Sequence, residues 1–292
     1  MNTPSKQNAI PLHRLSEVSD LGLEMHRFPG DFDNLEQHML DLGVHRDDHY
    51  VFLLQERGRS RYWVDFEEWV FEGRGLWFMT PGQVHAILSV TDVAGWFIAA
   101  DAHLMPDALL QVFQGVVQQE RLLPLCAGED AELIQCLDMI LSRKTVVADN
   151  LLLRPVLHTL FGAFAGLVAE RYAQRDRASG HKESRASQVH RQFRVLLEQR
   201  FREEKRPGAY AAALNLSLSY LNEMVRSVSG LPVGHWIQYE VMLEARRLLY
   251  HSDKTVQEIA YGLGYEDAAY FSRLFRQVVG QSPAQFRQLF RG

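Results

Sequence analysis

The sequence is poor in cysteine, with only Cys126 and Cys136 among 292 residues. They form no C-x-x-C, and their spacing suits neither a zinc site nor a disulfide framework. Both are expected to be packing residues in a reducing, cytoplasmic setting. Long hydrophobic runs are also missing. A membrane helix needs about 18 uninterrupted apolar residues, and the best stretch, 151–168, is broken by Arg154 and His158. It reads as a buried or dimer-forming helix. The N-terminal MNTPSKQNAIPLHRL has no apolar run between its charges and is no secretory signal. Nor is there any excess of positive charge: the net is −5, which taken whole argues against nucleic acid. Apolar content of 47% with 23% charged residues excludes disorder as the default and allows two ordinary domains.

The charge is unevenly divided. Residues 181–292 carry 16 Lys and Arg against 11 Asp and Glu, leaving 15 against 25 for residues 1–180. A basic C-terminal third on an acidic body points to a nucleic-acid module. From Tyr50 to about Ala100 the pattern is short and alternating, with glycines at 58, 73 and 75 and TPG at 80–82. Strands at this spacing indicate an antiparallel sandwich or barrel. Beyond Pro106 the period becomes helical. One helix is expected over Ala131–Arg143 and another over Leu151–Tyr172, with Leu151, Leu152, Val156, Leu160, Phe164, Leu167 and Val168 on its apolar face. The polar stretch 173–187 reads as a linker, and everything after it as helix. Domains are therefore expected at 1–175 and 188–292, joined by 176–187.

The last third repeats itself. Ala211 and Leu214 recur 49 residues later as Ala260 and Leu263. Ser217, Leu221, Val225, Arg226, Gly230 and Trp236 recur 50 later as Asp267, Phe271, Phe275, Arg276, Gly280 and Phe286. The one-residue slip falls in the turn, where insertions belong. Each copy reads as helix, tight turn, helix. In the second copy Thr255 and Glu258 form a capping box, Ala260 is small where helices cross, Gly264 takes a left-handed turn and Asp267 caps the next helix. Phe271, Leu274, Phe275 and Val278 form its buried stripe. In the first copy Asn215 replaces the turn glycine, Ser217 caps, and Leu221, Val225 and Val228 are buried. This is the requirement for a helix-turn-helix. His235–Tyr250 between the copies is an amphipathic strut. It can hold both second helices for successive major grooves, about 34 Å apart.

Residues 189–287 resemble the AraC/XylS family of transcription regulators. The resemblance is carried by EARRLLYHSDKTVQEIAYGLGYEDAAYFSRLFRQVVGQSPAQFR, with Ala245, Leu248-Leu249, Ile259-Ala260, Gly264-Tyr265, Tyr270-Phe271, Gly280, Ser282-Pro283 and Phe286-Arg287. One departure is Val241, where many members carry arginine. The resemblance implies that both second helices read DNA. In the first, Ser217, Ser219, Tyr220, Asn222, Glu223 and Arg226 are the candidate contacts, with Asn222 suited to adenine and Glu223 to cytosine. In the second they are Asp267, Ala268, Ala269, Ser272, Arg273 and Arg276. Arg273 suits guanine and Arg276 a phosphate, although Arg273 can instead pair with Asp267 or Glu266.

The strands resemble the cupin-type sensor domain of the same family, through HRDDHY (45–50), VDF (64–66) and TPGQVH (80–85). The implied fold class is α+β: an N-terminal antiparallel β-barrel with a helical dimerisation segment, then an all-α domain of two helix-turn-helix units on a linker helix. Metal-binding cupins use an H-x-H pair, whereas His45 and His49 are four apart, so neither metal nor cofactor is expected. Effector-contact candidates are His45, Arg46, Tyr50, Phe52, Trp63, Trp77, His85 and Trp96, with Arg46 suited to a carboxylate and the tryptophans to an aromatic or sugar face. The expected partners are a double-stranded DNA operator, a sugar or an aromatic or carboxylic acid as effector, RNA polymerase, and a second copy paired through Leu151, Leu160 and Leu167. The alternative is a cupin metalloenzyme, an oxygenase or isomerase, with a helical appendage.

Overall fold

A computed structural model describes residues 10–28, 42–116, 121–144, 153–178 and 185–291. The described residues divide into two units, one within 11–178 and the other within 185–291. Among the described residues no helix is long and apolar enough to cross a membrane.

The first unit is one eight-stranded sheet: β1 Leu12–His13, β2 Leu23–Phe28, β3 His45–Asp47, β4 Tyr50–Val64, β5 Glu67–Glu72, β6 Gly75–Met79, β7 Val84–Ala100 and β8 Leu123–Pro124. The order is β1-β3-β7-β4-β6-β8, with β2 also on β7 and β5 also on β4. All described pairs are antiparallel except β1 with β3. The expected barrel is not closed among the described residues, because the path has two ends. The 15-residue β4 and 17-residue β7 pair along nearly their whole length, with irregularities at Gln55/Arg57, Arg57/Arg59 and Arg61/Tyr62. Such bulges let long strands bend.

The β4–β5 hairpin turns on Asp65 and Phe66, both at positive φ, as a two-residue turn with right-handed twist demands. Neither is glycine. Asp65 is held by its carboxylate, which accepts the Val84 N–H at 3.2 Å and Gln83 Nε2–H at 2.8 Å.

Three helices, α1 Asp107–Gly115, α2 Ala131–Lys144 and α3 Leu153–Ala178, cover one face of the sheet. Leu157, Phe161, Phe164, Ala165, Val168 and Tyr172 of α3 are buried against Phe52, Leu54, Phe78, Trp96 and Ile98 from the strands. At about 1.5–3 kcal/mol per large apolar side chain buried, this face is committed to the core. The expected dimerisation stripe is corrected accordingly. Leu160 and Leu167 are half-buried and packed on that same core, while Leu151 and Leu152 lie outside the described residues. Val156, expected on the apolar face, is exposed. Cys136 is buried, but Cys126 is exposed and so is no packing residue.

The second unit is all helix: α4 Arg185–Arg200, α5 Pro207–Ala213, α6 Leu218–Ser229, α7 Val233–His251, α8 Val256–Gly262, α9 Ala268–Val279 and α10 Pro283–Arg291. Residues 179–184 of the expected linker lie outside the described residues, and 185–187 already belong to α4. The central α7 packs against α5, α6, α8, α9 and α10, so it contacts both copies of the repeat. Its buried side chains include Trp236, Ile237, Val241, Ala245 and Leu249.

The glycines after α8 and α9 differ in their surroundings. At Gly264, φ is +78° and an added Cβ would lie 2.4 Å from the Arg202 carbonyl oxygen; at Gly280, φ is +86° with nothing within 4 Å. Gly280→Ala should therefore cost only the left-handed backbone penalty, about 1–2 kcal/mol. Gly264→Ala should cost clearly more, since backbone must move as well. Urea unfolding of the two variants measures the difference, and equal losses would show that the Arg202 contact is immaterial.

Candidate nucleic-acid interface and ligand site

The second helix of each copy, α6 and α9, starts at a side-chain cap. Ser217 Oγ accepts the Tyr220 N–H at 3.2 Å. Asp267 Oδ1 accepts those of Ala269 and Tyr270 at 2.7 and 3.1 Å, and these bonds hold its carboxyl below the usual range. In front of α8 the capping box is complete: Thr255 Oγ1 accepts the Glu258 N–H at 3.2 Å and Glu258 Oε2 accepts the Thr255 N–H at 2.7 Å. The turns are matched too, with φ of +56° at Asn215 and +78° at Gly264. Small Ala211 and Ala260 are buried at equivalent points.

Leu221 and Val225 in α6, and Phe271 and Phe275 in α9, are completely buried. Their burial turns the opposite faces to solvent. Ser217, Ser219, Glu223 and Arg226 are exposed on one copy, and Asp267, Ala269, Arg273 and Arg276 on the other, with Tyr220, Ala268 and Ser272 half-exposed. Two expectations of the stripe fail: Val228 is 37% and Val278 45% exposed, while Leu274 is half-buried. Both valines sit in the last turn of their helices.

Asn222 is also corrected. Its Oδ1 accepts the Val233 N–H at 3.0 Å, which caps the first turn of α7. Bidentate pairing with adenine needs that oxygen and the amide nitrogen together. Arg273 is nearly free. Its Nη2 stands 3.9 Å from Asp267 Oδ2 with both side chains mostly in solvent, a geometry worth little. Ser272 Oγ donates back to the Ala268 carbonyl at 2.8 Å.

On the sheet the eight effector candidates do not converge. Tyr50, Phe52 and Trp96 belong to the core beneath the helices. Phe52 touches the rings of Phe78, Phe113, Phe161 and Phe164, so it seals a layer and lines no mouth. Trp77 lies in a separate cluster with Val51, Leu53, Tyr62 and Val64. His85 is register partner to Val64 and to His45 and so shares that face with them. Trp63 and Arg46 pair with Ala86 and Val84 and point to the opposite side. A small cleft brings Trp77 and Trp96 together with Phe28, Leu53, Gln55, Tyr62 and Gly95.

At the β1–β3–β7 edge the reading of the sequence missed a group. His13, Asp47 and His49 join His45 and His85 there, the rings of His13 and His45 stacked at 4.3 Å and those of His45 and His85 edge-on at 4.2 Å. Burial, reinforced by neighbouring histidines, drives the His45 pKa down to about 2. For Asp48 burial works upward, but the bonds from His49 and from the Leu15 N–H outweigh it and the carboxyl titrates low.

Residues 210–289 match the family model of the helix-turn-helix domain. The transcriptional activator RhaS of Salmonella schwarzengrund is 38% identical over 97 residues, which are 33% of this chain and 35% of that one. The C-terminal residues are thus similar to the helix-turn-helix domains of such transcription regulators. Among solved structures similar to them is the C-terminal domain of AraT, a response regulator from Geobacillus stearothermophilus, at 31% identity and a TM-score of 0.35, covering 36% of this chain and 88% of that one. Another is the DNA-binding domain of AdpA in complex with a target DNA, at 28% identity and a TM-score of 0.33, covering 35% and 92%. The chain thus spans about a third of the length of the curated relatives it matches.

Val241, the departure from the AraC/XylS pattern, is fully buried in α7. In this chain the position is core. Tyr270 is a further surface residue of this domain. It is 50% exposed on α9, and its displacement by 50 from Tyr220 marks it. The two kinds of residue on these helices should separate cleanly. Asn222→Ala and Ser217→Ala each remove a cap and should cost about 0.5–2 kcal/mol of stability. Arg273→Ala should leave unfolding unchanged within about 0.5 kcal/mol. Thermal melts distinguish them, and a stable Asn222 variant would return that side chain to the solvent face.

Proposed function

We propose that the protein is a DNA-binding transcription regulator, in which α6 and α9 enter successive major grooves of an operator. The observation that carries this reading is the pair of capped helices, matched residue by residue, whose apolar sides are buried and whose Glu223, Arg226, Arg273 and Arg276 sides are open. The helix-turn-helix match over residues 210–289 supports it. Arg273 reads a guanine through O6 and N7, Arg226 and Arg276 meet phosphates, and Tyr220, Tyr270 and the alanines make apolar or backbone contacts.

The role follows the similar activators: activation of a catabolic operon, in contact with RNA polymerase, in the cytoplasm. The sheet domain is the sensor, its ligand a sugar or an aromatic or carboxylic acid, and the chain acts as a homodimer rather than as an enzyme. A ligand alters DNA binding only if it prefers one of two states of the protein. Because the core side of α3 is filled, pairing uses its outer side, where Val156 and Ala163 are exposed.

Selection of genomic fragments by the purified protein gives the operator. On it, Arg273→Ala should lose about 1–3 kcal/mol of binding and little on random DNA. Arg276→Ala should weaken both alike and flatten the salt dependence. Binding that is absent at low salt, or that does not weaken as salt rises, would refute the DNA reading.

A further inference from the structure

Five side chains that DNA binding does not use meet where β1, β3 and β7 lie side by side. His13 is the register partner of Asp47, and His45 of His85. His45 and Asp47, two apart on β3, share a face. The Asp47 carboxylate occupies the centre. Its Oδ1 is 3.8 Å from His13 Nδ1 and 4.0 Å from His45 Nε2, and its Oδ2 is 3.4 Å from His85 Nε2 and 4.0 Å from His49 Nε2.

These separations are long for hydrogen bonds, and among the described residues none of the hydrogen bonds ends on that carboxylate. Yet the Asp47 side chain is only 9% exposed, a costly place for an uncompensated charge. The rings are anchored from behind. Nδ1–H of His45 donates to the Gly43 carbonyl at 3.0 Å, that of His85 to Gln83 at 3.1 Å and that of His49 to Asp48 Oδ1 at 2.9 Å. In the tautomer that carries its proton on Nδ1, each of these rings turns a lone pair of Nε2 toward the carboxylate. Lone pairs facing an anion repel, and a cation between them reconciles the arrangement. Rings braced this way, by a carbonyl or carboxylate on the far nitrogen, are the usual outer support of metal ligands.

We propose that this cluster binds a divalent first-row transition-metal ion, with His13 Nδ1, His45 Nε2 and Asp47 Oδ1 as protein ligands. His85 and His49 flank the other carboxylate oxygen. The three ligand atoms lie within 4.8 Å of one another. Bonds of about 2.0–2.2 Å separate tetrahedral ligands by roughly 3.3–3.6 Å, so the two histidines would each close on Asp47 by about half an ångström, and the ligand set as a whole by no more than about 1.5 Å. Imidazoles with one carboxylate select zinc, iron, cobalt or nickel over magnesium and calcium, which take oxygen. His13, with 38% of its side chain exposed, leaves an entry path and open positions for water. The assignment reverses the expectation from the missing H-x-H pair: Asp47 stands two residues after His45 and supplies the third donor.

The test uses the full chain, freed of any affinity tag and stripped with chelator, titrated with cobalt(II) alone and then with zinc(II) alone. One cobalt per chain should bind with visible d–d absorption, zinc should displace it, and either ion should raise the melting temperature. His13→Ala, at the half-exposed edge, removes a ligand without touching the core and should weaken binding by at least about tenfold; His45→Gln with Asp47→Asn should abolish it. His103→Ala, exposed and outside the cluster, should change nothing. Less than one ion per folded chain, or stoichiometric binding unaltered by His13→Ala, overturns the site. Operator binding is not the readout, so the outcome is independent of the DNA reading.

Discussion

What the C-terminal domain shows to solvent depends on two pairs of side chains, Leu221 with Val225 and Phe271 with Phe275. Each pair is one helical turn apart and completely buried, which fixes the rotation of α6 and α9 about their own axes. With about 100° between successive residues, fixing that rotation leaves residues 219, 223 and 226, and 269, 273 and 276, no option but to face outward. The caps at Ser217 and Asp267 set where each helix begins, and the left-handed residues Asn215 and Gly264 set the angle at which it leaves its partner. Should a pair slip by one residue, Arg273 would turn away with it. The chemistry of the surface is thus decided by the core beneath.

This much was legible in the sequence because caps, positive-φ turns and i, i+4 stripes are local, and two copies tested each other. The misreadings are of another kind. Val228 and Val278 continue the apolar spacing, but they lie in the last turn of 12-residue helices and are exposed: periodicity has no knowledge of where burial stops. Asn222 lies on the outward side by angle. It is drawn in because the first turn of α7 brings an N–H without a helical partner beside it, a demand made by a residue eleven positions later.

The sheet was legible as strands and not as faces. Along β4, Tyr50, Phe52 and Leu54 point toward the helices, whereas Tyr62 and Val64, also even-numbered, belong to the cluster on the other side. The irregularities between Gln55 and Tyr62 shift the register, and a shift of one residue exchanges the faces. Simple alternation from one end of the strand therefore misassigns the other. A candidate list drawn from aromatic residues near a supposed mouth inherits that error. The histidine cluster was hidden for the same reason: His13, His45 and His85 come from three strands far apart in the chain, and only their register gathers them.

The helical side of the sheet is filled by phenylalanine rings, and the polar cluster lies instead at the β1 edge. There β1 holds to β3 by very little. Its two residues are secured by backbone bonds between Pro11 and Arg46 and between His13 and Asp48, at 3.1 and 3.2 Å, and by the Leu15 N–H on Asp48 Oδ1 at 3.1 Å. A strand this short is marginal on its own. Any ligand that bridges His13 to His45 and Asp47 binds best when β1 is docked, and by linkage must favour the docked strand to the same degree. An ion held there would therefore act directly on the docking of a strand only two residues long.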